Sequence, residues 1–236
     1  MRESWQRLRS RSPFDPARAD ENGLVAIGGS LDPELVLVAY ASGVFPWSSD
    51  PVISWWSPDP RAIFDLPTYQ AHRSTRQSVR RGGWRFSVDE AFERVMRECA
   101  APAPGRESTW ISEDFVRSYK VLHARGYAHS IEVWEGLGPS GAAGGAERSE
   151  TEVLVGGLYG VTIGGFFGGE SMFNRRTDAS KAAVMHLVER LRACGFVLCD
   201  AQVPTPHLHR LGAIDITRDE YLARLGPALD VEATLR

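Results

Sequence analysis

Residues 178–203 read DASKAAVMHLVERLRACGFVLCDAQV, and this stretch decides the fold class. Its first part predicts an amphipathic helix over about 178–194, because four apolar residues fall on one side at helical spacing: Val184, Leu187, Val188 and Leu191. Its second part, Val197–Val203, is apolar apart from two polar residues, which is typical of a buried strand. A helix followed at once by a buried strand indicates a protein that mixes α and β structure.

Similar signals extend over the residues that surround this stretch. Further helices are predicted at about 70–81, 88–100, 112–125 and 217–225, and further strands at Ala128–Trp134, Val153–Tyr159 and Val161–Phe167. Residues 136–150 (GLGPSGAAGGAERSE) lie between two strand patterns and are rich in Gly and Ala, so we expect a long flexible hairpin loop without a catalytic role. The alternation predicts an α+β or α/β domain over residues 66–236.

The first 65 residues differ in character and predict a small N-terminal domain. Asp32, Pro33 and Glu34 form a helix start, and Gly43 marks the end of that helix. Four prolines then fall within residues 46–60, which argues against a regular helix or a central strand there. We expect the tryptophans of this segment to clamp two elements together or to line a pocket.

The composition limits the class of protein. Of the 236 residues, 43% are hydrophobic and 24% are charged, as in soluble globular proteins. The longest apolar run, about Leu35–Phe45, is too short to cross a bilayer, and the Arg-rich start lacks the apolar core of a secretory signal. The three cysteines form no CxxC pair, so we expect reduced thiols and a cytoplasmic protein.

The charge is distributed unevenly. The net charge is −3, yet Tyr69–Ser87 carries five arginines and no acidic residue: Arg73, Arg76, Arg80, Arg81 and Arg85. A basic patch on an acidic protein is suited to a phosphate-bearing ligand, and His72 and Trp84 in the same stretch could stack on a base. The alternative is an ordinary solvated helix face.

Two polar residues interrupt the predicted strand Val197–Val203. Asp200 and Gln202 lie two positions apart, so regular strand geometry places both on one face. The carboxamide N–H of Gln202 could then donate to Asp200, which would leave the carbonyl oxygen as a polarised acceptor. In the alternative reading, the strand simply ends at Asp200 and Pro204 begins a loop.

A third polar residue, Glu170, lies within the segment Gly169–Phe173. A carboxylate between glycines and apolar residues is expected to be partly buried and to need a cationic or hydrogen-bonding partner. The two readings are a functional carboxylate and a salt bridge to Arg175 or Arg176.

Several common chemistries have no support in the sequence. The glycines at 156–169 lie within apparent strands rather than between a strand and a helix, so a phosphate loop is disfavoured. His207 and His209 have no acidic or cysteine partner at ligand spacing, so no metal site is predicted. No GxSxG motif is present. If the protein is an enzyme, we therefore expect neither a covalent intermediate nor a metal, and we predict no cofactor.

Ten short stretches spread over the chain form a further pattern. The most specific are WWSPDPRA at 55–62 and GESMF at 169–173, and the others lie at 22–29, 43–47, 109–111, 128–134, 155–160, 178–181, 200–202 and 211–213. In this order they closely resemble the leucyl/phenylalanyl-tRNA–protein transferase family. The resemblance implies a small N-terminal domain joined to a GNAT-like (acetyltransferase-type) C-terminal domain. It also implies transfer of Leu or Phe, and more weakly Met, from aminoacyl-tRNA to an N-terminal Arg or Lys, which creates a degradation signal.

The resemblance also implies roles for individual residues. Glu170, Asp200 and Gln202 match the polar catalytic group of the family. The residues matching positions around the apolar pocket and the terminal adenosine are Trp47, Trp110, Leu158, Phe167, Met172, Leu187, Leu191 and Thr205. Leu158 stands where some members have Met, Leu187 and Leu191 where some have Phe, and Thr205 where others have Asn.

These implications and the residues together suggest a mechanism. The aminoacyl ester is already activated, so positioning supplies most of the acceleration. The proton of the attacking amine could pass through Gln202 to Asp200 or through the terminal ribose hydroxyl, while Glu170 orients the acceptor or supports Gln202. The five arginines would bind tRNA phosphates. We expect a monomer that binds no membrane. The competing readings are an acetyl-CoA-dependent N-acetyltransferase and a non-catalytic RNA-binding protein.

Overall fold

The computed structural model describes residues 5–49, 52–102, 109–136 and 152–235. The helices are α1 (Trp5–Ser10), α2 (Pro33–Ala41), α3 (Arg73–Gly82), α4 (Phe92–Ala100), α5 (Glu113–Ala124), α6 (Ala179–Ala193), α7 (Pro206–Leu211) and α8 (Arg218–Leu229). The strands are β1 (Leu24–Ile27), β2 (Phe45–Ser49), β3 (Val52–Trp56), β4 (Arg61–Phe64), β5 (Arg85–Val88), β6 (Ala128–Gly136), β7 (Glu152–Ile163), β8 (Phe166–Asn174), β9 (Leu198–Gln202) and β10 (Ile214–Ile216). The predicted loop at 136–150 lies, apart from Gly136, outside the described residues.

The strands form two sheets. A three-stranded sheet has the order β1-β3-β2, and a seven-stranded sheet has the order β10-β4-β9-β8-β7-β6-β5. Every pair in the larger sheet is antiparallel except β8 and β9, which are parallel and are joined by α6. A parallel pair needs such a crossover, because the chain must return to the other end of the sheet. The protein is therefore an α+β protein with a small N-terminal sheet.

Helices cover both faces of the larger sheet. Helix α6 packs on β6, β7 and β8, and α4 packs on the same three strands. One buried cluster joins α4 and α5 to the N-terminal residues, and a second lies under α6 and contains Val184 and Leu187. Strand β7 serves both clusters because alternate side chains point to opposite faces: Leu158 belongs to the second and Tyr159 to the first.

Most of the predicted helices are confirmed within a few residues. Helices α2, α3, α5, α6 and α8 correspond to the helical patterns of the sequence. The Asp32 side chain caps α2 by accepting the backbone N–H groups of Glu34 and Leu35 at 3.0 and 3.3 Å. The predicted helix over 88–100 is wrong in its first turn, because Val88 still pairs with β6 and α4 begins only at Phe92.

The predicted division into the strands Val153–Tyr159 and Val161–Phe167 is wrong. Strand β7 continues to Ile163, and the hairpin turn lies at Gly164 and Gly165, where Gly164 has a φ of +58°. Gly160 instead allows a close approach: a Cβ atom there would collide with the carbonyl oxygen of Gly168 and the ring of Phe167. The glycines in this region therefore mark close strand packing at Gly160 and a turn at Gly164.

The proline-rich segment is more regular than predicted. Residues 45–49 and 52–56 form strands β2 and β3, and β3 is the central strand of the small sheet. The argument from prolines is wrong because Pro46 lies on the edge strand β2, and Pro58 and Pro60 follow the end of β3. An edge strand tolerates a residue that lacks a backbone N–H.

The division of the chain at residue 65 stays a prediction. Strand β4, which precedes that boundary, lies inside the larger sheet between β10 and β9. In the part of the chain that the structure describes, no helix is long and apolar enough to cross a membrane.

Candidate active site

An apolar cavity of about 220 Å³ opens beside the centre of the larger sheet. Four of the predicted substrate-binding residues line it: Leu158 on β7, Phe167 and Met172 on β8, and Leu187 on α6. Phe64, Val184 and Cys199 complete the apolar wall. Leu191 is different, because it is fully buried in the cluster under α6 and does not reach the cavity. The structure does not bring Leu191 to this cavity, and its role as a substrate contact stays a prediction.

A second cavity of about 150 Å³ lies next to the first. It is lined by the predicted residues Trp47, Trp110 and Thr205, together with Phe45 and Gln202. The rings of Trp47 and Trp110 meet edge to face with their centroids 6.4 Å apart. Three residues line both cavities, namely Glu170, Ala201 and Leu208, so the two spaces meet at Glu170.

Glu170 lies at a β-bulge. Tyr159 pairs with Ser171 and Gly160 pairs with Gly169, so Glu170 has no residue opposite it on β7. A bulge re-aims a side chain relative to the regular strand pattern.

The Glu170 carboxylate is held by three neutral hydrogen-bond donors. The Tyr40 hydroxyl donates to Oε1, the Tyr119 hydroxyl donates to Oε2 at 3.0 Å, and the Gln202 carboxamide Nε2 donates to Oε1 at 2.8 Å. The predicted salt bridge is wrong, since Arg175 pairs with Glu98 and Arg176 pairs with Glu135. Burial raises the pKa of Glu170 to about 7, although the three hydrogen bonds act in the opposite direction.

Gln202 does not donate its side chain to Asp200, so that prediction is wrong. Its backbone turns left-handed, with a φ of +65°, next to a register shift between β4 and β9. Strict two-residue alternation ends there. The backbone N–H of Gln202 donates to Asp200 Oδ1 at 2.8 Å, while its carboxamide reaches Glu170. In the described part of the chain, no hydrogen-bond donor reaches the carboxamide oxygen of Gln202, and Gln202 is one of the residues that line the second cavity.

Asp200 is bound by a buried arginine. Arg61 Nε donates to Oδ1 at 2.9 Å and Arg61 Nη2 donates to Oδ2 at 2.6 Å, and the Tyr221 hydroxyl donates to Oδ2 at 3.0 Å. The guanidinium also lies over the rings of Phe45 and Tyr221, at 4.8 and 4.3 Å from their centroids. Burial lowers the pKa of Arg61, but the charge and hydrogen bonds of Asp200, together with Tyr221 and Tyr40, outweigh this effect and the pKa lies above its ordinary value.

Sequence reasoning missed the four side chains that hydrogen-bond to the two carboxylates apart from Gln202, namely Tyr40, Arg61, Tyr119 and Tyr221. It also missed part of the apolar lining, such as Phe64 and Phe45. A weak signal existed for Arg61, because a charged residue that begins the apolar strand Arg61–Phe64 must find a partner if it is buried. The tyrosines gave none, since each one lies in an ordinary helical pattern that does not show what its hydroxyl contacts.

The predicted basic surface is carried by α3. Arg73, Arg76, Arg80 and Arg81 are exposed, and none forms an ion pair with another described residue. Helix α3 packs against α6, whose Val184 and Leu187 line the apolar cavity. Arg85 is an exception: it lies on β5 and is paired with Glu90 and Glu152 at 3.1 and 2.8 Å. Its role in tRNA binding stays a prediction, because a phosphate would have to compete with these two carboxylates.

The arrangement defines a class of protein. An apolar cavity and an aromatic cavity meet at a carboxylate and a carboxamide, so two bound groups can be held against each other at that junction. This is the layout of a group-transfer enzyme. Over the described ranges, no group of three or more His, Cys, Asp or Glu side chains is placed to hold a metal ion.

Comparison with known proteins identifies the family. Residues 63–226 match the family described as leucyl/phenylalanyl-tRNA protein transferase, and residues 29–59 match the N-terminal domain of the same family. The chain is 49% identical over 224 residues to the leucyl/phenylalanyl-tRNA–protein transferase of Anaeromyxobacter sp. (strain K), covering 94% of this chain and 89% of the relative. It is 47% identical over 221 residues to that of Shewanella piezotolerans, covering 93% and 87%. The chain belongs to the leucyl/phenylalanyl-tRNA–protein transferase family.

Proposed function

We propose that this protein transfers leucine or phenylalanine from aminoacyl-tRNA to an N-terminal arginine or lysine of an acceptor protein. The single observation that carries the proposal is the meeting of the apolar and aromatic cavities at Glu170, beside the carboxamide of Gln202. Relatives that carry the name of this transferase align with nearly the whole length of the chain.

The apolar cavity is the proposed site of the aminoacyl side chain. A cavity of about 150 Å³ is enough to hold a benzene ring, so the 220 Å³ observed suits a benzyl or isobutyl group. Leu158, Phe167 and Leu187 offer only hydrocarbon surface to that group. A charged side chain would lose its hydration there without compensation. Methionine, which is longer and unbranched, is proposed as a weaker substrate.

The aromatic cavity is the proposed site of the terminal adenosine. Trp47 is partly exposed and Trp110 lies against it, so their faces and edges are available to a base. Stacking of a base on an aromatic side chain contributes about 1–3 kcal/mol. Thr205 lines the same cavity, but its hydroxyl already caps α7 by accepting the backbone N–H of Leu208.

The exposed face of α3 is the proposed phosphate-binding surface. Four arginines that form no ion pair within the described ranges give it a positive charge beside α6, on the side of the molecule that holds the apolar cavity. Contacts of this kind position a nucleic acid without reading its sequence. Acceptor stems of different tRNAs should therefore bind alike at this surface.

The proposed reaction is direct aminolysis. The neutral amine attacks the ester carbonyl, the new C–N bond forms, and the bond from the carbonyl carbon to the ribose oxygen breaks. The carbonyl oxygen of Gln202 is the proposed acceptor of a hydrogen bond from the amine. Asp200 acts by holding the backbone of Gln202 in its left-handed conformation. No covalent intermediate with the enzyme is proposed, because the ester is already activated.

We further propose that the product is a degradation signal, and that the protein works in the cytoplasm as a monomer and without a cofactor.

The proposed transfer is tested by incubating the purified protein with Phe-charged tRNA and a peptide that begins with Arg, and by measuring the mass of the peptide. The peptide should gain one phenylalanine at its N-terminus, while a matched peptide that begins with Glu should gain none. Acetyl-CoA in place of charged tRNA should give no product. Acetylation, or no transfer from charged tRNA, would contradict the proposal.

A further inference from the structure

We propose that Glu170, acting through the carboxamide of Gln202 and supported by the hydroxyls of Tyr40 and Tyr119, holds the proton of the attacking amine while the new amide forms. This inference rests on the proposed function and assigns the proton path within it. It gives the two carboxylates of the site different roles.

The hydrogen bonds of Gln202 connect its carboxamide to Glu170 and not to Asp200. Its Nε2 lies 2.8 Å from Glu170 Oε1, whereas its contact with Asp200 is made by the backbone N–H. A proton that leaves the carboxamide therefore has Glu170 within hydrogen-bond reach. Asp200 is not on this path, because its two oxygens already accept from Arg61, Tyr221 and the backbone.

The groups that surround Glu170 come from several elements and are neutral hydrogen-bond donors. Tyr40 comes from α2, Tyr119 from α5 and Gln202 from β9, and the hydroxyls of the two tyrosines lie 3.0 Å apart. The charge of Asp200 of β9 also raises the pKa of Glu170. Arg61 of β4 interacts electrostatically with Tyr40, and the pKa of Tyr159 of β7 is itself raised by burial and by the charges of Glu170 and Cys99. Among the described residues no Lys, Arg or His forms an ion pair with Glu170. A carboxylate held only by neutral donors can take up a proton without breaking a salt bridge.

The proposed proton transfer balances as follows. In the tetrahedral intermediate the amine nitrogen carries an extra proton, which moves to Gln202 Oε1 as the Nε2 proton moves to Glu170. Gln202 is then the neutral imidic acid and Glu170 the neutral carboxylic acid. As the bond to the ribose oxygen breaks, the imidic acid gives its proton to that oxygen and Glu170 returns a proton to Nε2. Both side chains end in their starting states.

The acid–base balance of Glu170 suits this role. A group that accepts and returns a proton works best when its pKa lies near the working pH, and burial brings the pKa of Glu170 to about 7. The hydroxyls of Tyr40 and Tyr119 lower this pKa by stabilising the carboxylate. Removing either hydroxyl should therefore raise it.

The experiment is the pH dependence of single-turnover transfer from Phe-tRNA to an Arg-peptide, with each rate divided by the neutral fraction of the peptide amine. The wild-type rate should fall as the pH drops through about 7, because Glu170 becomes protonated. Glu170→Gln should lose this pH dependence and about 10²-fold or more in rate. Tyr40→Phe and Tyr119→Phe should move the midpoint to higher pH.

Tyr159→Phe is the matched control, because it removes a buried hydroxyl that forms no hydrogen bond with any described residue and should leave the midpoint in place. The proposal is overturned if Glu170→Gln keeps the wild-type pH dependence, or if neither Tyr40→Phe nor Tyr119→Phe moves the midpoint. Should Glu170→Gln fail to fold, the two tyrosine variants decide alone. If wild-type protein transfers no amino acid at any pH, the proposed function fails as well, so the two failures are distinguishable.

Discussion

At the scale of single residues, the two carboxylates of the site differ in what compensates for their burial. Asp200 is neutralised by a bidentate arginine that is itself buried, whereas Glu170 is surrounded by hydroxyls and a carboxamide. A paired buried charge has a fixed state, but a charge held by neutral donors can titrate. The difference leads to two predictions about stability.

The first concerns the pair of Arg61 and Asp200. Asp200→Ala leaves the guanidinium buried without a counter-charge, so we expect the free energy of unfolding to fall by about 3–5 kcal/mol. The double variant Arg61→Met, Asp200→Leu should lose less than the sum of the single changes, because it removes both charges. Urea unfolding measures all of these values. A double variant that loses the full sum would show that the pair is not coupled.

The second concerns Glu170. Its pKa rises from 4.5 to about 7 on folding, so the folded protein binds the proton more tightly than the unfolded chain does. The stability of the wild type should therefore fall relative to Glu170→Gln as the pH rises from about 4.5 to 7, by about 3 kcal/mol at most. Above pH 7 the difference should be constant. Urea unfolding at several pH values measures it, and a difference that does not change with pH contradicts the raised pKa.

At the scale of elements, α6 serves two purposes with residues one turn apart. Leu187 lines the apolar cavity, and Leu191 is buried in the cluster beneath the same helix. Truncation of either residue removes the same number of carbon atoms from the interior. Only one of the two truncations changes the shape of the proposed amino acid pocket.

Leu187→Ala should therefore change specificity, and Leu191→Ala should not. Each should lower the free energy of unfolding by about 2–5 kcal/mol. Leu187→Ala should also increase kcat/KM for Phe-tRNA relative to Leu-tRNA by about 10-fold, because a larger cavity is filled less well by leucine. Competition between the two charged tRNAs measures this ratio. An equal change of the ratio in both variants would contradict the assignment of the cavity.

Helix α3 gives a prediction about tRNA binding. Arg80→Ala with Arg81→Ala should weaken binding of charged tRNA and reduce the slope of log K against log salt by about 1.5, because each phosphate contact contributes about 0.7–0.9. Arg97→Ala is the matched control, since this exposed arginine is already bound to Glu93 and Glu113. Filter binding over a range of salt concentrations measures both, and an unchanged slope in the α3 variant would place the tRNA elsewhere.

At the scale of the whole molecule, the N-terminal residues and the larger sheet share one interior. The first hydrophobic cluster contains Val36 and Trp55 of the N-terminal part together with Phe115 and Phe166. The site is built across the same contact, because Tyr40 reaches Glu170 and Arg61 reaches Asp200. A cluster shared in this way is expected to unfold as a unit.

We predict that α2 and β9 unfold together in the openings that allow amide hydrogen exchange. Leu37→Ala on α2 should lower the opening free energies of the protected amides in both elements by about 2 kcal/mol or more. Hydrogen exchange read by mass for peptides covering Pro33–Ala41 and Leu198–Gln202 measures both. A fall confined to α2 would show that the N-terminal part unfolds separately.

The sequence alone determined that the fold mixes α and β structure, the family, the main helices and several of the residues that line the two cavities, such as Leu158 and Trp47. These features depend on local periodicity and on short motifs, which can be recognised in a single sequence.

Only the tertiary structure decided which groups hold Glu170, Asp200 and Gln202. Arg61 lies 139 residues from Asp200 and Tyr40 lies 130 residues from Glu170, so these hydrogen bonds cannot be predicted from the spacing of residues along the chain. The left-handed turn at Gln202 and the bulge at Glu170 also break the two-residue alternation on which the strand argument depended. Hydrogen bonds are satisfied by whatever donors the packed chain brings within about 3 Å, and that proximity is a property of the packing and not of the sequence order.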